Sequence, residues 1–177
     1  MQPAAPNLRA RFALATASLF LFVLAAPAWP LDTPEARSTL KGIKALRVEI
    51  EPLPSDLEKL GLTHDQIQTD VELRLRQSGI SVSDPGDTAT PLLWVAFNSQ
   101  HQTDSPVLGF SIKVEFIQFV RLSRNTRIRA PAPTWTVDGV GTADVSPSEA
   151  TRTEIRGLLR DFVDRFLNAY LEQNPKQ

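Results

Sequence analysis

From Gly109 to about Arg124 the chain alternates apolar and polar residues for longer than anywhere else. Phe110, Ile112, Val114 and Phe116 interleave with Ser111, Lys113 and Glu115. Period two over that length specifies a strand with one buried face. At Ile117 the parity changes and Phe119 takes the apolar role on the other face, which predicts a bulge near Phe116 to Gln118. Further strand signals lie on both sides, with no helical pattern between them. "LLWVAFNS", apolar on both faces, reads as an interior strand covered on both sides for part of its length. "NTRIRAPAP" reads as a turn or loop. "TWTVDGVGTADV" is a last strand with Trp135 and Val137 on one face, its far end weakened by Gly139 and Gly141.

The segments before this run are equally patterned. "ALRVEIEPL" alternates Leu46, Val48 and Ile50 with Arg47, Glu49 and Glu51, a half-buried strand stopped at Pro52. "PSDLEKLG" fits a helical turn or two, with Ser55 and Glu58 as a capping box and Gly61 as the stop. In "LTHDQIQTDVELRLRQSGI" Thr63 is the expected N-cap and Gln66 closes the box. Ile67, Val71 and Leu75 form one apolar stripe, and Gly79 with Ile80 completes a Schellman stop. Leu73 lies off the stripe without an evident structural job. Ile80 and Val82 begin a short strand. Ser146-Pro147-Ser148-Glu149 announces a final helix with Ser146 as cap, Pro147 at N1 and Glu149 at N3. Its stripe is Ile155, Leu158, Leu159, Phe162, Val163, Phe166 and Tyr170.

This order, β-α-β-β-β-β-α, predicts an α+β fold: a mainly antiparallel four- to five-stranded sheet with two helices packed on one face. The first strand pair is expected to be parallel, joined through the helix that starts at Thr63.

The N-terminus carries the three parts of an export signal. Arg9 and Arg11 are unaccompanied by acids, Phe12 to Ala26 is apolar, and Ala26-Pro27-Ala28 offers a small-x-small cleavage site. The expected organisation is therefore residues 1-28 as signal peptide, 29-42 as a flexible lead-in and 43-174 as a single α+β domain. The apolar run is shorter than the roughly 20 residues of a membrane span, and no second run follows. The protein is expected to be exported to the periplasm or beyond, with no integral membrane segment after cleavage.

Cysteine is absent, which removes disulfides, thiol nucleophiles and thiolate metal sites. Taking Arg9 and Arg11 from the 19 basic residues leaves 17 against 20 acidic, a net charge near −3. So weak a balance attracts neither nucleic acid nor an anionic membrane globally, and no nucleic-acid partner is expected.

Convergent polar groups for catalysis are scarce. His64 and His101 are the two imidazoles, and neither has further ligands at a metal spacing. Ser111 lies inside a strand pattern rather than on a nucleophile elbow. Glu49, Glu51 and Glu115 alternate with apolar residues and so belong to a solvent face. No phosphate-binding glycine loop occurs. The expectation is a non-enzymatic protein with no catalytic residue, no metal site and no cofactor. Arg152, Arg156 and Arg160 run down one side of the last helix at a spacing of four, read as a solvated face compensated by Glu149 and Asp164. Trp94 and Trp135 are read as core.

The most suggestive feature is basic. Arg121, Arg124, Arg127 and Arg129, in "RLSRNTRIR", gather around a strand-to-strand turn with no acid among them. Arginine suits carboxylate and phosphate recognition through paired donors; charge on an exposed edge also blocks pairing with other chains.

"GLTHDQIQTDVELRLRQSGI", "FSIKVEFIQFV", Thr134-Trp135 and "LRDFVDRFLNAYLEQNP" together resemble an uncharacterised family of small exported bacterial α+β proteins. The resemblance spans most of the chain after the signal. Its motifs are caps and stripes, so it implies location and fold and carries no catalytic residue. More loosely, a helix after the first strand looks like the sheet domains of periplasmic envelope-assembly factors, a likeness of fold. The functional expectation is a protein-binding or envelope-associated module. Its partner is an envelope protein or a second copy, reached through a sheet edge or the four arginines. Binding of a small anion or lipid head group by the same arginines is the alternative, and a hydrolase comes third.

Overall fold

The computed structural model describes residues 31–175; the expected signal peptide lies outside them. The elements run α1 (Pro34–Ser38), β1 (Ala45–Ile50), α2 (Ser55–Lys59), α3 (His64–Gln77), β2 (Ser81–Val82), β3 (Leu92–His101), β4 (Val107–Leu122), β5 (Asn125–Asp144) and α4 (Glu149–Gln173). The five strands form one sheet in the order β2-β1-β3-β4-β5.

The fold is α+β, with a mixed rather than mainly antiparallel sheet. β1 pairs in parallel with both β2 and β3, while β3, β4 and β5 form an antiparallel meander. The parallel β1–β2 pair is joined through α3 as expected. The second parallel pair arises because β2 is two residues long and ends the sheet on that side, so the chain returns past β1 to start β3. Four helices are present where two were expected. The two further helices have five residues each: α2 falls where a helical turn or two was expected between Pro54 and Gly61, and α1 is too short to show a periodic stripe.

Leu46, Val48 and Ile50 of β1, Leu93, Val95 and Phe97 of β3, and Phe110, Ile112, Val114 and Phe116 of β4 are buried on one face of the sheet. Against that face α3 lays Ile67, Val71 and Leu75, and α4 lays Ile155, Leu159, Phe162, Val163, Phe166, Leu167 and Tyr170. No helix among the described residues covers the opposite face.

Helix ends follow local chemistry, with two shifts from expectation. Thr63 caps α3, accepting from the backbone N–H of Gln66 at 3.3 Å. At the other end Gly79, with φ +88°, lets the Ile80 N–H reach the Leu75 carbonyl and its own N–H the Arg76 carbonyl, the expected Schellman pair. In α2, Ser55 is the first helical residue, and Pro54 before it forms no side-chain cap. In α4 the cap is Ser148, accepting from the Thr151 N–H at 3.1 Å. Ser146 is held back in a turn, where its N–H donates to Asp144 Oδ1.

The largest departure is at β5. It runs from Asn125 through "NTRIRAPAP", expected as loop, to Asp144. Pro131 and Pro133 are tolerated because β5 is the outermost strand, where a missing N–H removes no ladder bond from a neighbour. The expected irregularity occurs between Phe116 and Ile117. Register places the extra residue on β5, since Phe116 pairs with Trp135 and Ile117 with Pro133, leaving Thr134 over.

Residues 31–40, expected as part of an unpacked lead-in, are instead packed. Ala36 and Leu40 are buried. Asp32 accepts from the indole N–H of the fully buried Trp135 at 2.7 Å and from Arg37 at 2.7 and 3.0 Å. Arg37 continues to Glu172 of α4 at 2.7 Å. Burial pulls the Asp32 carboxyl up, but the hydrogen bonds from Arg37 and Trp135 and the charges of Arg37 and Arg165 outweigh it, leaving it below 3.8. Asn174 clasps the same region, accepting from the Gly42 N–H at 2.7 Å and donating to the Leu40 carbonyl at 2.9 Å.

Gly139 and Gly141, expected to weaken β5, make room for aromatic rings. A Cβ at Gly139 would lie 2.7 Å from Phe162 Cζ, and one at Gly141 would lie 2.6 Å from Phe110 Cζ. Both rings are buried. Gly139→Ala and Gly141→Ala should each lower stability by about 1–3 kcal/mol in urea denaturation. Gly109→Ala, whose added atom meets nothing nearer than the Gln100 carbonyl at 3.7 Å, should change it far less.

The Asp32 linkage has a defined sign. A carboxyl held below its unfolded value stabilises the fold above that value, near 3.8, and loses the contribution as pH falls through the depressed folded value. Asp32→Asn should cost about 1–2 kcal/mol at neutral pH. The wild-type and variant urea midpoints should converge in acid below that window.

Candidate functional site

Beyond the Thr134 bulge the β4–β5 hairpin continues as an arm. Phe119 pairs with Pro131, Arg121 with Arg129, and Leu122 with Asn125, so Ser123 and Arg124 form the turn. Residues 123–129 are all exposed. The register breaks between Arg121 and Leu122, setting Thr126, Arg127 and Ile128 outside the regular ladder. Arg121 Nη1 donates to the Thr126 carbonyl at 2.8 Å, and the Arg127 N–H donates to Asn125 Oδ1 at 3.1 Å, which shapes the tip.

The structure thus brings the four predicted arginines together at one end of the sheet. Arg124 sits in the turn, Arg127 in the irregular tip, and Arg121 and Arg129 directly across the ladder from each other. None of the four makes an ion pair with a carboxylate among the described residues. Arg37, Arg47, Arg74, Arg76, Arg152 and Arg156 all do. Like charges opposite one another in a cross-strand pair are destabilising when nothing compensates them. From Gln118 to Asp138 the chain supplies no acid before Asp138 itself.

Phe119 and Arg129 add what the sequence pattern did not join. The Arg129 guanidinium lies 5.0 Å from the centroid of the Phe119 ring, and that ring's residue is 51% exposed. Below them, on the uncovered face, is a cleft of about 410 Å³. Its floor is one row across the sheet, Arg47 of β1 beside Leu92 of β3 beside Ile117 of β4. Pro131 and Arg129 form one wall, and the 88–91 segment the other. Leu92 is buried although it faces away from the helices, so "LLWVAFNS" is covered on both sides at its start, as expected. In the 88–91 wall, Asp87 accepts from the Thr90 hydroxyl and from the Ala89 N–H at 3.1 Å; these bonds, with the nearby charge of Arg47, hold its carboxyl low. Arg47 gives Nη1 to Glu49 at 3.0 Å, while its buried Nε has no partner. Sequence reading passed over Arg47 because alternation marks it only as a solvent-facing position. Phe119 was visible as an apolar residue on the wrong face.

The remaining candidates are engaged structurally. His64 Nε2 lies 3.3 Å from the Ile50 carbonyl, and His101 Nε2 lies 2.8 Å from the Ser105 carbonyl. Among the described residues no three His, Asp or Glu side chains gather as a metal site would require. Glu49 and Glu115 flank Trp94 in register, drawn to Arg47 and Lys113 respectively. Ser111 is half-buried within β4.

The α4 arginine column is compensated by Glu149 as expected but not by Asp164, and it is tied to its neighbours rather than simply solvated. Arg152 pairs with Glu149 and also donates to the Leu60 carbonyl, and Arg156 crosses to Asp70 of α3 at 2.7 Å. Asp164 is taken by Arg74 of α3 at 2.6 Å. These pairs bridge α3 and α4 beside a groove of about 440 Å³ in which Leu73 is exposed. Apart from Arg160, the charges named around that groove satisfy one another.

No protein-family model matches the sequence, and no curated protein matches it. Among solved structures, a minor lipoprotein from Acinetobacter baumannii is similar at 16% identity over 75% of this chain and 91% of that one, with a TM-score of 0.33. Among the described residues no helix is long and apolar enough to cross a membrane. The functional reading therefore rests on the arm and its cleft.

Proposed function

We propose that the protein is an exported, non-catalytic binding module that presents its β4–β5 arm to an acidic protein partner of the cell envelope. The observation that carries this is the contrast in charge pairing. Arginines on α1, α3 and β1, and Arg152 and Arg156 of α4, are matched to carboxylates; Arg160 and Arg165 of α4 are not, but they stand apart on a helix, whereas Arg121, Arg124, Arg127 and Arg129 lie together at the exposed end of a hairpin with no ion-pair partner among the described residues. Protection of the edge alone does not require them, because Pro131 and Pro133 already interrupt β5. A partner bearing carboxylates relieves the repulsion between Arg121 and Arg129 and gains paired hydrogen bonds from planar guanidinium groups.

The test is crosslinking in intact cells followed by affinity capture and mass spectrometry, with wild type beside the Arg127→Glu/Arg129→Glu variant. Both substitutions are exposed, so urea stability should stay within about 0.5 kcal/mol of wild type. The captured partner should be lost in the variant. With the purified partner, affinity should fall as salt rises, since exposed charges are screened over about 8 Å at physiological ionic strength. Equal capture by wild type and variant removes the arm from the interaction. Recovery of the protein itself and nothing else replaces the envelope partner with self-association.

A further inference from the structure

The cleft at the root of the arm combines three properties that the arm's tip lacks: partial enclosure, apolar surface beside Arg47 in its floor, and a second guanidinium, Arg129, in its wall. At about 410 Å³ it falls in the range of small-molecule sites. Leu92, Ile117, Phe119 and Pro131 supply apolar surface on a sheet face that no described helix covers. Arg47 and Arg129 come from β1 and β5, which β3 and β4 separate. Arg47 lies in the row of Leu92 and Ile117, while Arg129 pairs with Arg121 four residues further along β4, so their backbones are roughly 20 Å apart and their long side chains reach the cleft from different directions. Arg129 is stacked on Phe119 with no carboxylate partner among the described residues. Arg47 spends Nη1 on Glu49 and leaves its buried Nε without an acceptor.

We infer that this cleft is a binding site for a single-chain anionic amphiphile, a carboxylate or phosphate monoester carrying a short alkyl body. The head group sits between the Arg47 and Arg129 guanidinium groups. The alkyl body lies on Leu92, Ile117 and Pro131, closed over by the Phe119 ring. Charge complementarity selects the head, and the apolar floor discriminates against small inorganic anions, which gain nothing from it. The site shares only Arg129 with the partner surface proposed for the arm: Arg47 lies outside the arm, and Arg121, Arg124 and Arg127 are not among the residues lining the cleft.

The experiment is calorimetric titration of the purified protein with decanoate and decyl phosphate, each kept monomeric, beside decanol and inorganic phosphate alone. Decanoate and decyl phosphate should bind one to one, with decanol and inorganic phosphate weaker by about tenfold or more. Arg47→Met and Arg129→Met should each weaken decanoate by about tenfold or more, since each removes a charge-assisted contact. Arg124→Glu/Arg127→Glu should leave decanoate binding unchanged, and the backbone amide resonances of Leu92, Phe119 and Arg129 should shift together on titration. Arg129 is exposed, so Arg129→Met keeps the test valid even if Arg47→Met disturbs folding through loss of the Glu49 pair. Decanol binding as tightly as decanoate, Arg129→Met leaving decanoate affinity intact, or no saturable decanoate binding overturns the site. Attraction to phosphatidylglycerol vesicles without monomer binding, abolished by Arg124→Glu/Arg127→Glu, also overturns it and assigns the charge effect to the arm. Loss of the envelope partner in Arg124→Glu/Arg127→Glu alongside intact decanoate binding separates the two proposals.

Discussion

The indole of Trp135 is fully buried, and an indole N–H without an acceptor would make that burial costly. The acceptor comes from Asp32, 103 residues away in the chain. Much of the molecule is arranged around this bond. Asp32 needs a cation and takes Arg37, which reaches Glu172 near the end of α4. On its other side the indole meets the Phe166 ring edge-on at 5.4 Å, and Phe166 meets Phe116 at 5.8 Å. One residue of an edge strand thereby joins the N-terminal segment, the sheet and the long helix.

The same neighbourhood holds the bulge. Thr134, the residue before that tryptophan, has no partner in the ladder. Its hydroxyl accepts from Gln118 Nε2 at 2.9 Å and lies 3.1 Å from the Thr39 hydroxyl, while Gln118 also donates to the Thr39 carbonyl. The extra residue is thus tied to the end of α1, and a bulge bends its strand and increases local twist. Past it, the exposed tip of the hairpin carries the arginines. The packing that secures the N-terminal segment therefore also forms the base of the arm.

Charge is distributed in two regimes. Between α3 and α4, and around α1, carboxylates and guanidinium groups are matched across elements and contribute modestly each, as partly exposed pairs do. On the arm they are not matched. A weakly acidic protein thus presents one strongly basic projection, with an aromatic ring and an apolar cleft at its root. Such a surface is consistent with the anionic partner and the amphiphile proposed for it, since exposed charge attracts over about a Debye length and apolar surface favours burial.

The sequence by itself determined the elements whose signal is periodic and local. These are α3 with its Thr63 cap and Gly79 stop, the alternation of β1 and β4, the stripe of α4 and the clustering of Arg121 to Arg129, because a helix face or strand face is a property of neighbours in the chain. It also marked the irregularity near Phe116, though not which strand carries it. Only the tertiary structure decided the rest. α1 exists through Asp32, Arg37 and Asn174 reaching remote partners, and a five-residue helix has no stability of its own to read in advance. β5 extends through two prolines because it lies at the edge, which is a fact of strand order. The cleft unites Arg47, Leu92, Ile117 and Arg129 because the sheet brings four strands side by side. No spacing along the chain encodes that register, since it is set by which apolar faces the helices cover.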